Sequence, residues 1–412
     1  MNHSDDVAHL AECSACRQRF AGNVVTFDAT GRRSREAEFT ATAERLERER
    51  ERENATDVAR YLRDTPAEEW PRLAEAPELR NNAALEQMSA EVRKRLHRNP
   101  REALAIANLS ASIAESLPSS QYPPVVMAQL RANAWKDRAS TLRYLARYDE
   151  AIEAADRGEE CLASFPSLEH DRAIVRLVKG MILAQLEHFD EAHTILSECR
   201  RVFRSHDDIR RYVQAGLAEA SSLYEANRYD HAHQLCLDLL QDAIAEGDIE
   251  SQARLHNNLG YCAIRLGDFA SANIHFSEAV AKFTDLGFTA EVARTERGAG
   301  LVLIARGQIT SGLARLHDAR HAFAAAGMIE DAGLCALNIA SVLIDRGNLP
   351  EARALAQGVI EEFTAARMSE RAIAAVVSIR EAIDVDDATA ETAHIVHALV
   401  ESLREEFHDA AN

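Results

Sequence analysis

Apolar positions recur along most of this chain at intervals of three and four, the period of a helix with one buried stripe. In the stretch 256–280, HNNLGYCAIRLGDFASANIHFSEAV, that pattern predicts a helix, a tight turn and a second helix. Counting from the aromatic of its turn, Phe269, in steps of forty residues brings up turns of the same kind. They are ARYDEA at Tyr148, EHFDEA at Phe189, NRYDHA at Tyr229, GQITSG at Ile309 and GNLPEA at Leu349, the first step being one residue longer. Two helical patterns per unit at a fixed period predict an array of helical hairpins, each burying its apolar face against its neighbours.

Two positions of the unit are always small. Nine residues before the turn residue stand Ala139, Gly180, Ala220, Gly260, Gly300 and Ala340; three after it stand Ala151, Ala192, Ala232, Ala272, Gly312 and Ala352. Small residues are needed where the paired helices approach closely. On these positions residues 131–367 resemble the tetratricopeptide family and read as six repeats. The resemblance implies an all-α fold, a right-handed superhelical α-solenoid of helical hairpins, capped by helices at both ends. Trp135 and Phe276 fall at aromatic positions of a first and a second helix, and Cys199 and Cys236 on the packed face of second helices.

The flanks are less regular. Residues 82–130 read as an N-terminal capping hairpin turning at Asn99-Pro100, degenerate because Glu91 stands where a small residue is needed, and a break at PSSQYPP. Residues 368–412 read as C-terminal capping helices, with Arg380 at a small-residue position and Ile395, Leu399 and Leu403 on one stripe. Residues 21–81 hold a linker, a charged helix over 36–64 and a Trp-Pro segment in which Trp70 is expected to pack against the start of the array. In the charged helix, pairs such as Glu44 with Arg48 and Glu49 with Arg52 lie one turn apart, as on a solvated face.

Residues 1–20 carry the one metal-like motif, His9, Cys13 and Cys16, spaced so that a helix brings all three to one face. A structural zinc site needs a fourth ligand, and His3 is the candidate upstream. The stretch HLAECSACR resembles the last helix of the zinc-binding anti-sigma family, whose motif is completed from an earlier helix that is missing here. An upstream coding start, a decayed finger, and closure by His3 or a partner all remain open, as do two incidental cysteines. One zinc ion is the cofactor this resemblance implies.

Composition narrows the classes further. The chain of 412 residues is 47% hydrophobic but 6% aromatic, with 17 Gly and 9 Pro, which suits Ala- and Leu-rich helices. A net charge of −19 argues against direct nucleic-acid binding and against an anionic membrane surface. No apolar run is long enough to span a bilayer and no secretory signal is visible, so the expected compartment is the cytoplasm. Seven scattered cysteines do not suggest a disulfide framework.

P-loop, G-x-G-x-x-G, H-E-x-x-H and G-x-S-x-G motifs are all missing, and His188 and His231 sit near turns without an orienting acid, so no catalysis is expected. A non-catalytic interaction module is the function the pattern favours. The family's groove positions on the first helices gather Arg254, Asn257, Asn258, Tyr261, Arg265, Arg294, Arg297 and Asn338, while an earlier unit carries Leu177, Val178 and Met181 there. Arginine takes carboxylates bidentately and asparagine bonds a peptide backbone, so the implied partner is a protein or peptide with an acidic segment. Pairing of the arginines with neighbouring acids is the plainer alternative. A second function, transcription regulation through a sigma factor engaged by the zinc motif, follows from the anti-sigma resemblance.

Overall fold

The computed structural model describes residues 57–96, 99–366 and 370–384, and every regular element among them is helical. The zinc motif (His3, His9, Cys13 and Cys16), the linker, most of the charged helix and the stripe of Ile395, Leu399 and Leu403 lie outside the described residues. The chain divides into two compact units, 1–141 and 142–412.

In the first unit, α1 (Val58–Asp64) leads into two 3-10 segments, Ala67–Glu75 and Pro77–Leu79, and then α2 (Asn82–Arg95) and α3 (Pro100–Ser116). Pro71 lies within the first segment and Pro77 opens the second. Asn81 caps α2 by accepting from the Ala84 N–H, and Asn99 caps α3 by accepting from the Glu102 N–H, with Pro100 at the first helical position. Trp70 is buried, as its place in the sequence suggests. Its Nε1–H donates to the carbonyls of Leu62 (3.2 Å) and Thr65 (3.0 Å), so the indole seals the turn after α1 over a core of Met88, Ile106 and Ile113. A fourth helix, α4 (Pro124–Tyr144), runs on through the division.

The second unit continues with α5 (Tyr148–Leu162), α6 (Glu169–Gln185), α7 (Phe189–Ser205), α8 (Ile209–Glu225), α9 (Tyr229–Ala245) and α10 (Ile249–Arg265). It goes on with α11 (Phe269–Asp285), α12 (Thr289–Ala305), α13 (Ile309–Ala325), α14 (Ile329–Asp345), α15 (Leu349–Ala365) and α16 (Glu370–Asp384). The turn residues read from the sequence, from Tyr148 to Leu349, are the first residues of α5, α7, α9, α11, α13 and α15. Consecutive helices pack pairwise, as an α-solenoid requires. The small positions within this unit, from Ala151 to Ala352, are all buried.

A finer period underlies the one of forty. Residues in the left-handed region stand at Glu187, Asp207, Asn227, Gly247, Gly267, Gly287, Gly307, Gly327 and Gly347, every twenty residues. Turns within hairpins and turns between them are therefore built alike. At Gly267 (φ 78°) the N–H donates to the Ile264 carbonyl (3.0 Å), and the N–H of Asp268 donates to the Ala263 carbonyl (2.9 Å). This is the Schellman arrangement, and it satisfies carbonyls the helix end would leave free. Asp268 then caps the next helix by accepting from the Ser271 N–H (3.0 Å), so one residue ends one helix and begins another.

Phe276 of α11 shows why the small positions matter. It is fully buried, and a Cβ at Gly260 would come within 2.6 Å of its ring, one at Gly298 of the next hairpin within 2.7 Å. One aromatic thus fills the space between three helices only because two of them present no side chain there.

Two stability outcomes follow. Gly260→Ala should lower stability by about 1 kcal/mol, an overpacking cost of about 1–3 kcal/mol less about 1 kcal/mol of helix propensity. Chemical denaturation in a Phe276→Leu background should recover most of that loss, because the ring is what the methyl meets. Glu187→Gly should raise stability by about 0.5–1 kcal/mol, since a left-handed residue with a Cβ costs about 1–2 kcal/mol, part of it offset by the freer unfolded chain.

Candidate functional site

Which face could hold a partner depends on how the hairpins curve. The first helices α6, α8, α10 and α12 pack directly on one another, whereas the second helices of neighbouring hairpins approach less closely. The first helices therefore line the tighter, inner side of this unit.

On that layer a ladder of alternating charge crosses three helices. Arg254 of α10 reaches Glu250 (3.1 Å) and Glu291 of α12 (3.9 Å). Arg294 of α12 holds the same Glu291 (3.0 Å) and lies 3.6 Å from the buried carboxylate of Asp331 on α14. Backbone and hydroxyl groups brace the ladder. The Tyr261 hydroxyl donates to the Arg294 carbonyl (3.1 Å), and the buried Thr295 hydroxyl sits 3.1 Å from Asn257 Oδ1 and 2.8 Å from the Glu291 carbonyl. Tyr261 also meets Phe276 edge-on at 5.1 Å, which ties the site to the hairpin interior. Arg254, Asn257, Tyr261 and Arg294 thus form one continuous patch.

The other residues singled out by sequence are placed differently. Arg297 is half-buried on α12 beside Cys335 of α14, whose thiol feels its charge. Asn258 and Asn338 share a repeat position with Gly298, where a Cβ would come within 2.7 Å of the Phe276 ring of the preceding hairpin. Asn258 is half-buried, and Asn338 is only 8% exposed, its Oδ1 without a hydrogen bond among the described residues. Arg265 is exposed at the end of α10, where its guanidinium lies 4.7 Å above the Tyr229 ring and donates to the Tyr229 hydroxyl. It is drawn toward α9 and away from the ladder.

Sequence reasoning missed the acids Glu250, Glu291 and Asp331 as members of the site. Their signal was available: Glu250 and Glu291 stand four and three residues before Arg254 and Arg294, and the three acids recur at about the repeat period. On α6, Leu177 is buried and Val178 and Met181 are half-buried, so the inner layer changes from apolar to charged along the array.

The buried thiols are poor nucleophiles. Burial pushes Cys199 and Cys335 up to about 12 and Cys262 up to about 11, and it raises Cys236 as well. They are small apolar fillers of the helix seams. Among the described residues no three His, Cys, Asp or Glu side chains are grouped to hold a metal ion, and no helix is long and apolar enough to cross a membrane.

No family model matches this sequence, and no curated protein matches it. Solved structures do match. A signal transduction ATPase with numerous domains from Pyrococcus horikoshii, which carries a tetratricopeptide repeat sensor, is 13% identical with a TM-score of 0.54 over 86% of this chain. The chain spans 54% of that protein's length. Aspartyl phosphate phosphatase F from Bacillus subtilis is 12% identical with a TM-score of 0.50, covering 85% of this chain and 95% of that one. The apo form of RapI is 13% identical with a TM-score of 0.50, covering 82% and 97%. At these identities the likeness is one of fold, and the fold it shows is the tetratricopeptide-type array of helical hairpins.

Proposed function

We propose that this protein is a non-catalytic interaction module that holds an acidic peptide or protein segment against the inner face of α10, α12 and α14. The observation that supports it most is the placement of Arg254 and Arg294 on the layer of first helices, half-buried and held in position by Tyr261, Glu291 and Asp331. An arginine whose side-chain order is already established loses little freedom when it takes a ligand carboxylate. The price is competition with Glu250 and Glu291, so binding would be an exchange of partners, selective for ligands that bring a carboxylate and a backbone that Asn257 can bond. The apolar strip at Leu177, Val178 and Met181 would suit an apolar side chain farther along the same ligand. The Pyrococcus repeat array is described as a sensor. Holding a ligand without converting it is the task assigned to the present array.

Arrayed peptides of graded acidity would identify the preferred ligand. Arg254→Gln with Arg294→Gln should then weaken it tenfold or more by fluorescence anisotropy, about 1.4 kcal/mol for each tenfold step. Binding should also fall steeply between low salt and about 0.5 M salt. Binding left intact by both changes would place the ligand elsewhere, and circular dichroism of the substituted proteins guards against simple unfolding.

A further inference from the structure

His256 of α10 and His275 of α11 meet ring to ring across the hairpin, with Nδ1 to Nδ1 at 3.0 Å and centroids 5.3 Å apart. Neutral imidazoles can do this, one Nδ1–H donating to the other Nδ1. Once both are protonated, two donors of like charge face each other at that distance. The same place in the next hairpin, forty residues on, holds Glu296 and Arg315, an ion pair with the same separation of 19 residues along the chain. The slot therefore accepts opposite charges and would reject like ones.

The pair also sits at a sensitive point. Gly260 is one turn beyond His256 on α10, and Phe276 follows His275 on α11, so repulsion acts beside the Gly260–Phe276 contact. Asn257 and Tyr261, which tie α10 to α12, are on the adjoining turn. We propose that the His256–His275 pair makes the α10–α11 hairpin an acid-sensitive joint of the array, closed when the pair carries at most one positive charge and loosened when it carries two. This proposal stands independently of the ligand reading above.

The surroundings favour the closed form at neutral pH. Burial, and then the charge of His275, depress His256 to about 4; burial, and then the charge of His233 on α9, depress His275. Glu278 opposes both shifts, Lys282 adds to that of His256 while pairing with Glu278 at 3.7 Å, and Asp268 opposes that of His275. Because the folded pair releases protons that the unfolded chain would bind, stability is fully present above about pH 6.5 and is lost as pH falls toward about 4.

The test compares thermal melts of the full chain from pH 7 to pH 5 with those of His256→Glu/His275→Arg, which installs the neighbouring hairpin's pair. Over that range the melting temperature of the native protein should fall by about 3 °C or more in excess of the fall shown by the double substitution. Parallel curves would overturn the proposal. Should the doubly substituted chain fail to fold, His256→Asn serves in its place, since it keeps a neutral partner for His275. Histidine NMR titration gives an independent reading: the two imidazoles should titrate as a coupled pair below the ordinary range. Two independent transitions near pH 6.5 would also overturn it.

Discussion

A left-handed residue two places after each helix from α6 to α14 is the constraint on which the rest of the array depends. It reverses the chain in three residues, satisfies the carbonyls of the finished helix, and delivers the next residue as the cap of the following one. Because the turns inside a hairpin and between hairpins are alike, each helix meets its predecessor at the same register. That regularity is what lets small residues recur at one depth in every unit and lets Phe276 be shared by two hairpins. It also explains why hydrogen bonds and ion pairs repeat at separations of 19 and near 38 residues, as in Arg200–Glu219, Glu296–Arg315 and Asn257–Thr295.

Charge is distributed to suit that geometry. The chain has a net charge of −19, yet its inner helices hold arginines in register because each is flanked by acids one turn away or on the next helix. Partly exposed pairs of this kind contribute little to stability. Their effect is to keep the guanidinium groups oriented on the inner helices. The fully buried carboxylate of Glu219 has two partners of opposite charge type, Arg200 at 2.9 Å and His193 at 3.1 Å. The His256–His275 pair departs from this practice, since both members become cations.

The period of forty and the small residues were legible because close packing admits few substitutes: a side chain at Gly260 would meet Phe276 of the next helix, and Ala272 is fully buried. The turn residues Tyr148 to Leu349 were legible for the same reason, and each begins a helix. The finer period of twenty was half visible. Six glycines from Gly247 to Gly347 mark it, but Ala146, Glu187, Asp207 and Asn227 adopt the same conformation without the residue that advertises it, because hydrogen bonds on both sides hold the turn.

Sequence by itself thus determined the helical class, the repeat, the hairpin boundaries and the packed positions, all of which are set by local period and by the size of a side chain at one depth. Only the tertiary structure decided where the side chains of the inner helices end. It separated Arg265 from the ladder, buried Asn338, and brought Glu250, Glu291 and Asp331 in as partners. A helix position states which side a residue leaves from. Where a long charged side chain ends depends on neighbours some forty residues away, and those distances exist only once the helices have stacked.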